Sequence, residues 1–250
     1  YLTATGPLLG RYEARKGLGQ GPMAIYGETP DNRPIPGAWI DGDLLDQALK
    51  AANDSLEALQ QAANDIGTFR SRPLPLLVQF QWESHSQPGT LTNVIGMLPG
   101  RDQELRKEFI LIGAHRDHFG QQAGLLFPGA DDNASGTVAV IEAARLLSNV
   151  NLPYTILFAA WDEEERGLFG SKAYADSAFA HNDSIIAVLN FDMIAYDGNN
   201  NGAMDINTNP ASMSLANEFA QIISIYQPTL VPQITTSLNG GSDHQPFQQR

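Results

Sequence analysis

FILIGAHRDHFG, residues 109–120, opens with a continuous apolar run and then turns polar at His115. An unbroken run of this kind fits a strand covered on both faces, as in a parallel sheet flanked by helices. Three further strings repeat the pattern of an apolar run, or the loop returning from one, closing on a residue able to bind metal. They are PGADDNASG (128–136), ILFAAWDEEERGLFGS (156–171) and AVLNFDMI (187–194). The positions concerned are His115, Asp132, the Glu164–Glu165 pair and Asp192. Packing alone does not explain four such coincidences. In open α/β sheets, ligands gather in the crevice beyond the carboxyl ends of the strands, so the pattern points to a metal-dependent hydrolase.

Outward from these strings, strand and helix signals alternate. TVAVIEAARLLS (137–148) has helical spacing, YTILFAAW reads as a buried strand and GLFGSKAYADSAF as the helix after it. IIAVLNFDMI and AMDINT follow as strands, with SMSLANEFAQIISIY as a helix. This alternation predicts an α/β fold: a mixed, mostly parallel central sheet with helices on both faces. LLVQFQWE and TLTNVIGML have period two and read as neighbouring antiparallel strands at a sheet edge. Residues 1–40 are rich in Gly and Pro and read as loops with one or two short strands. Asp41 or Asp43 is placed to cap one helix running through LLDQALKAANDSLEALQQAAN. The boundary between this accessory piece and the catalytic part is expected near residues 66–76, giving parts 1–66 and 67–250. DGNNNG (197–202) is a polar loop that reads as a surface turn, with cation binding as the alternative.

Composition narrows the function classes. The chain has 250 residues, 15 basic and 28 acidic, for a net charge of −13. That balance argues against nucleic acid or an anionic membrane as partner. No apolar stretch approaches the roughly 18 residues of a membrane span. There is no cysteine, which excludes disulfides, thiolate metal sites and a thiol nucleophile. The Gly-x-Ser-x-Gly elbow of serine hydrolases is also absent. The chain begins at Tyr1 without a leader, and both ends look cut.

The chemistry of the candidates is complementary. Taken alone, His115 would pass for a polar residue closing a strand. Asp117, two residues on, could supply the carboxylate that fixes a ligating imidazole's tautomer. Asp132 would pass for a helix cap, but two consecutive aspartates followed by Asn133 exceed what one cap needs, and a carboxylate bridging two metals would use the second. Adjacent Glu164 and Glu165 point in different directions, so one can bind metal while the other acts as general base. Like-charge proximity would raise the pKa of the one without a metal. One imidazole with carboxylates suits zinc, with manganese or cobalt as substitutes, and a water activated by the metal is the natural nucleophile.

The strings GAHRDH, PGADDNASG, WDEEERGLFGS, NFDM and SDHQPF, in this order over residues 76–250, resemble the M28-type zinc aminopeptidases. The resemblance implies a fold of the zinc-exopeptidase kind and two zinc ions bridged by Asp132. It further implies that His115 and Asp192 complete one ion, that Glu165 binds the other, that Glu164 is the general acid/base and that Asp117 orients the histidine. Asp131 and Glu163 are left without a role. Asp243 and His244, in the SDH string, are expected near the substrate pocket. The last zinc ligand of the family is a histidine well after SDH, beyond the residues given. His244 is the first substitute considered, ahead of His118 and His85. Some relatives carry a carbonyl-polarising tyrosine where Asn239 stands here. Residues 1–66 are similar to the end of a protease-associated domain inserted in related bacterial enzymes, with its return helix. What the resemblance implies is an aminopeptidase acting on peptides and secreted or periplasmic. The alternatives are a single-zinc glutaminyl cyclase and a truncated or inactive binding module of the same fold. Neither the preferred N-terminal residue nor the oligomeric state is legible.

Overall fold

The glutamate-to-histidine strand that carries FILIGAH sits inside a sheet, which is why nearly every position in it is apolar. In the computed structural model the described residues are 2–5, 38–64, 88–122, 125–236 and 241–250, with 73, 77, 79 and 81. Strand β4 (Glu108–His115) pairs in parallel with β7 (Thr155–Trp161) on one side and β8 (Ser184–Asn190) on the other. Strand β3 (Val94–Leu98) adds antiparallel to the outer side of β7, so the sheet order is β3-β7-β4-β8. The sheet is mixed and mostly parallel, as the alternation of elements predicts.

Both faces of this sheet are covered. On one face Ile112, Ala114, Ile156 and Phe158 meet Val140 of helix α3 (Gly136–Leu147). On the other, Leu111, Leu157, Ala159 and Trp161 meet Tyr174 of helix α4 (Phe169–His181) and Phe247 of the short helix α6 (Gln245–Gln248). Trp161 is fully buried and packs against both aromatic rings; truncating such a side chain to alanine costs about 3–5 kcal/mol. Gly113 beside it is required, because a Cβ there would stand 2.7 Å from Trp161 Nε1. Strand β8 is less covered than β4 and β7. It ends the described sheet, and Ile186 keeps 48% of its surface exposed.

Past the sheet, strand β9 (Ala203–Thr208), helix α5 (Met213–Tyr226) and strand β10 (Val231–Thr236) form a parallel strand pair with its crossover helix. Asn209 accepts the backbone N–H of Ser212 and starts the turn that leads into α5. The DGNNNG loop lies just before β9. Asp197 accepts the backbone N–H groups of Asn201 (3.2 Å) and Gly202 (2.8 Å), so its carboxylate organises the turn.

Two compact units divide the chain: Tyr1–Gly89 with Gln121–Leu126, and Thr90–Gly120 with Phe127–Arg250. The division falls between Gly89 and Thr90. In the first unit, β1 (Leu2–Thr5) pairs in parallel with β2 (Ala38–Asp41). The expected single helix is two: α1 (Gly42–Ala51) and α2 (Leu56–Asn64). Asn53 takes a left-handed conformation (φ 58°) and Ser55 Oγ accepts the N–H of Ala58, restarting the helix. Leucines at helical spacing cannot reveal such a break; the Asn-Asp-Ser string does. The stretch 6–37, which includes most of the presumed inserted-domain tail, and most of the expected strand 76–83 lie outside the described residues. Strands β5 (Gly120–Gln122) and β6 (Leu125–Phe127) form a small two-stranded sheet.

Candidate metal centre

His115 ends β4 opposite Trp161, the last residue of β7, and is 1% exposed. Its Nε2 lies 3.3 Å from Asp132 Oδ1 and 3.5 Å from Asp192 Oδ1. Ligand atoms on one tetrahedral zinc, bound at about 2.0–2.1 Å, stand roughly 3.3 Å apart, so this spacing fits a shared cation. Burial alone would lower the imidazole's pKa, but the hydrogen bonds to Asp132 and Asp192 and the charge of Glu164 override it and push it up to about 11. The carboxylates of Asp132, Asp192 and Glu164 thus outweigh the cost of burying a charged ring.

Asp132 lies in the tight loop Ala130–Ser135, entered through Gly129 in a left-handed conformation (φ 69°). The neighbour of Asp132 supplies the precision. Asn133, itself buried, donates to the Phe191 carbonyl (3.0 Å) and accepts from the N–H of Gly136 (3.0 Å) and of Met193 (3.3 Å). Asp131 accepts the N–H of Ala195 at 2.9 Å. These two residues stitch the loop bearing Asp132 to the loop bearing Asp192. The Asp-Asp-Asn run is the sequence signal for these links, but it does not disclose their partners 58–64 residues away. Asp192 in turn accepts the hydroxyl of Ser242 at 2.6 Å, and Ser242 accepts from Asn190 at 2.8 Å.

His115 Nδ1 lies 3.1 Å from the backbone oxygen of Asp117 and 3.8 Å from its carboxylate. The carboxylate instead accepts the N–H of Glu164 on Oδ1 (3.1 Å) and that of Glu165 on Oδ2 (3.3 Å). It fixes the turn after β7, while its carbonyl holds the imidazole.

Glu164 and Glu165 diverge from that turn. Glu164 Oε2 lies 4.0 Å from His115 Nε2. Burial raises its carboxyl to about 8; His115 opposes this, and Asp243, Asp192 and Glu165 add to it. Glu165 contacts His118 through Oε1 and Nδ1, and His118 Nδ1 is also 3.7 Å from Asp132 Oδ2. Two sets of potential ligands result, His115–Asp132–Asp192 and His118–Asp132–Glu165, in each of which the ligand atoms lie within 4.8 Å of one another. Asp132 belongs to both. Glu163, at φ 56°, pairs with Arg166 and points to neither set.

The SDH string adjoins the cluster through Ser242, and Asp243 has no exposed surface. Neither carboxylate oxygen has a well-formed hydrogen bond, and burial pushes its carboxyl up to about 7 against the pull of Ser171 and His115. His244 starts helix α6; burial lowers its pKa while the charge of Asp192 acts the other way. It joins neither ligand set among the described residues, whereas His118, ranked behind it from the sequence, joins one. His85 and Asn239 lie outside the described residues.

The family model for peptidase family M28 matches residues 93–250. The chain belongs to that family. Within it, leucine aminopeptidase 2 of Trichophyton equinum is 31% identical over 166 residues, covering 64% of this chain and 32% of the relative. The chain thus spans about a third of the length of the curated relatives it matches. A solved zinc aminopeptidase from Bacillus subtilis is 28% identical, with a TM-score of 0.53 over 63% of this chain and 37% of that one. A glutaminyl cyclase from an Acidobacteriales bacterium, 22% identical with a TM-score of 0.50 over 64% and 55%, shares the fold. No helix among the described residues is long and apolar enough to cross a membrane.

Proposed function

We propose that this M28 chain is the catalytic part of a two-zinc aminopeptidase that removes N-terminal residues from peptides. The observation that carries the proposal is the sharing of Asp132 between two ligand sets, each with one histidine and a further carboxylate. His115, Asp132 and Asp192 would hold one ion, with Asp132 and Glu165 contributing to the other. When bound, the zinc pair supplies Lewis acidity, polarising a carbonyl oxygen and acidifying water. Glu164 binds neither ion in this assignment. Its Oε2 takes the proton from the attacking water and returns it to the leaving amine. A carboxyl raised toward neutrality is suited to both transfers. Asp117 keeps Glu164 and Glu165 in register by fixing their backbone, and Ser242 holds Asp192 to one rotamer.

Relatives named as leucine aminopeptidases and a solved zinc aminopeptidase support the reaction class. The single-zinc cyclase alternative has a likeness of fold behind it and leaves the second ligand set without a use. Secretion or export to the periplasm belongs to the same proposal and rests on the family resemblance. The test is hydrolysis of a panel of aminoacyl-anilides beside pyroglutamate formation from an N-terminal glutamine substrate, with zinc counted in the same preparation. Anilide hydrolysis by zinc-loaded protein is expected. Cyclisation with no anilide hydrolysis, or a protein that takes up no zinc, would overturn the proposal.

A further inference from the structure

We infer that Asn93 is a positioning residue for the general base Glu164, acting by closing the neck of the loop that carries it. The inference rests on the role given to Glu164 above and adds to it what holds that side chain in place. Past β7 the chain loops from Asp162 into the first turn of α4, and the two ends of this loop meet. The Gly170 N–H donates to the Asp162 carbonyl at 2.9 Å. Asn93, the residue before β3, spans the junction. Its Oδ1 accepts the Asp162 N–H (3.2 Å) and its Nδ2 donates to the Gly170 carbonyl (2.8 Å). The fit is close: a Cβ at Gly170 would stand 2.3 Å from Asn93 Oδ1 and 2.4 Å from the Asp162 carbonyl oxygen. Asp162 is also held from a second direction. Its Oδ2 accepts the N–H of Thr92 (2.8 Å) and pairs with Arg116 (3.0 Å), whose Nη2 donates to the Thr92 carbonyl (2.8 Å).

Within the loop, Glu163, Gly167 and Leu168 all have positive φ (56°, 130° and 63°). Left-handed backbone at residues other than glycine persists where the surroundings over-determine it. Here Asp117 grips the loop at Glu164 and Glu165, and Asn93 grips its neck. With the neck released, the loop can swing about the Asp117 contacts, and Glu164 Oε2 leaves its place 4.0 Å from His115 Nε2. A misplacement of about 1 Å can cost about 100-fold in rate. Zinc in excess compensates for a weakened ligand but not for a displaced base, which separates the effect on Glu164 from that on Glu165.

Asn93→Ala and Asn93→Asp both remove the donor to Gly170, the second keeping an acceptor for the Asp162 N–H. Gly170→Ala opens the same neck from its other side, so the comparison survives if one variant fails to fold. Anilide kinetics of the full chain in excess zinc are measured for each variant, alone and combined with Glu164→Gln. Zinc titration and hydrogen exchange of the metal-free chain accompany them. In the neck variants kcat is expected to fall about 10–100-fold with KM nearly unchanged. Zinc uptake at saturation should match wild type, with faster amide exchange confined to residues 162–170. In the Glu164→Gln background the same substitutions should lower the residual kcat by less than about threefold, because the base they position is already gone. A residue that only supports the fold would exact its full cost in both backgrounds. Such full multiplication, activity loss that tracks zinc loss, or neck variants with the kcat of wild type would overturn the inference. A wild type that hydrolyses no anilide, or a Glu164→Gln variant as active as wild type, overturns the role of Glu164 and this inference with it.

Discussion

The carboxylate of Asp117 accepts the backbone N–H of Glu164 at 3.1 Å, across 47 positions of sequence. One aspartate thereby couples the end of β4 to the turn after β7, and its carbonyl reaches back to His115 Nδ1. Replacing Asp117 by Asn preserves the carbonyl and one acceptor but turns an amide N–H toward a backbone N–H. We expect Asp117→Asn to keep its fold and bind zinc, with kcat down about 10–100-fold, the usual cost of disturbing the groups behind a metal centre. Activity equal to wild type would mean the grip on Glu164 is incidental.

Glu164→Gln removes a proton acceptor and keeps the shape. Zinc content should be unchanged and kcat/KM should fall by about 10²–10⁴, the range for loss of a positioned general acid/base. Elemental analysis beside anilide hydrolysis separates the two effects. Loss of zinc from this variant would move Glu164 into the ligand set instead.

Gly136→Ala probes how the two aspartate loops are held. A Cβ there would lie 2.4 Å from both Asn133 Oδ1 and the Phe191 carbonyl oxygen, the very pair that joins the loops. Overpacking of this kind costs about 1–3 kcal/mol, and because it pushes Asp132 from Asp192 it should weaken zinc binding as well. Chemical denaturation and zinc titration of the variant test both; normal zinc affinity with reduced stability would show that the ligands move independently of Asn133.

Much of this was visible in one dimension. Apolar runs such as FILIGA and ILFAAW are local signals, and a strand that must be covered on both faces announces itself by composition. The residues that end those strands were legible for the same reason. Contacts spanning the chain were not. Nothing near Asp117 indicates that its carboxylate serves a turn 47 residues on, and Asn133 looks like a loop residue until Phe191 and Met193 are folded beside it. His118 likewise meets Glu165 only in the fold, beside a glycine at 129 that leaves room for its Cβ, and neither is a sequence neighbour. Leucine periodicity likewise ran straight through Asn53, since a single left-handed residue leaves the apolar spacing intact.

The charge trapped at the centre predicts how zinc and pH act together on stability. In the metal-free fold Glu164 titrates at about 8 and Asp243 at about 7, against 4.5 and 3.8 for the free side chains, and His115 at about 11 against 6.5. All three hold protons that the unfolded chain has released, so above the ordinary histidine value stability falls as pH rises. His244, lowered from 6.5, acts in the opposite sense below that value, and the lowered surface carboxylates Asp46, Asp102, Glu142 and Asp197 matter in acid. The window that isolates the centre therefore runs from about pH 6.5 to about pH 8.5. Across it the Tm of chelator-treated protein should drop, while zinc, replacing the protons as counter-charge, should hold it nearly level. The stabilisation by zinc must accordingly grow with pH, which thermal melts at several pH values with and without chelator measure directly. A metal-free Tm that is flat or rises over this interval would mean that the buried carboxyls are already ionised without a cation, and the electrostatic case for a metal centre at Asp132 would fail with it.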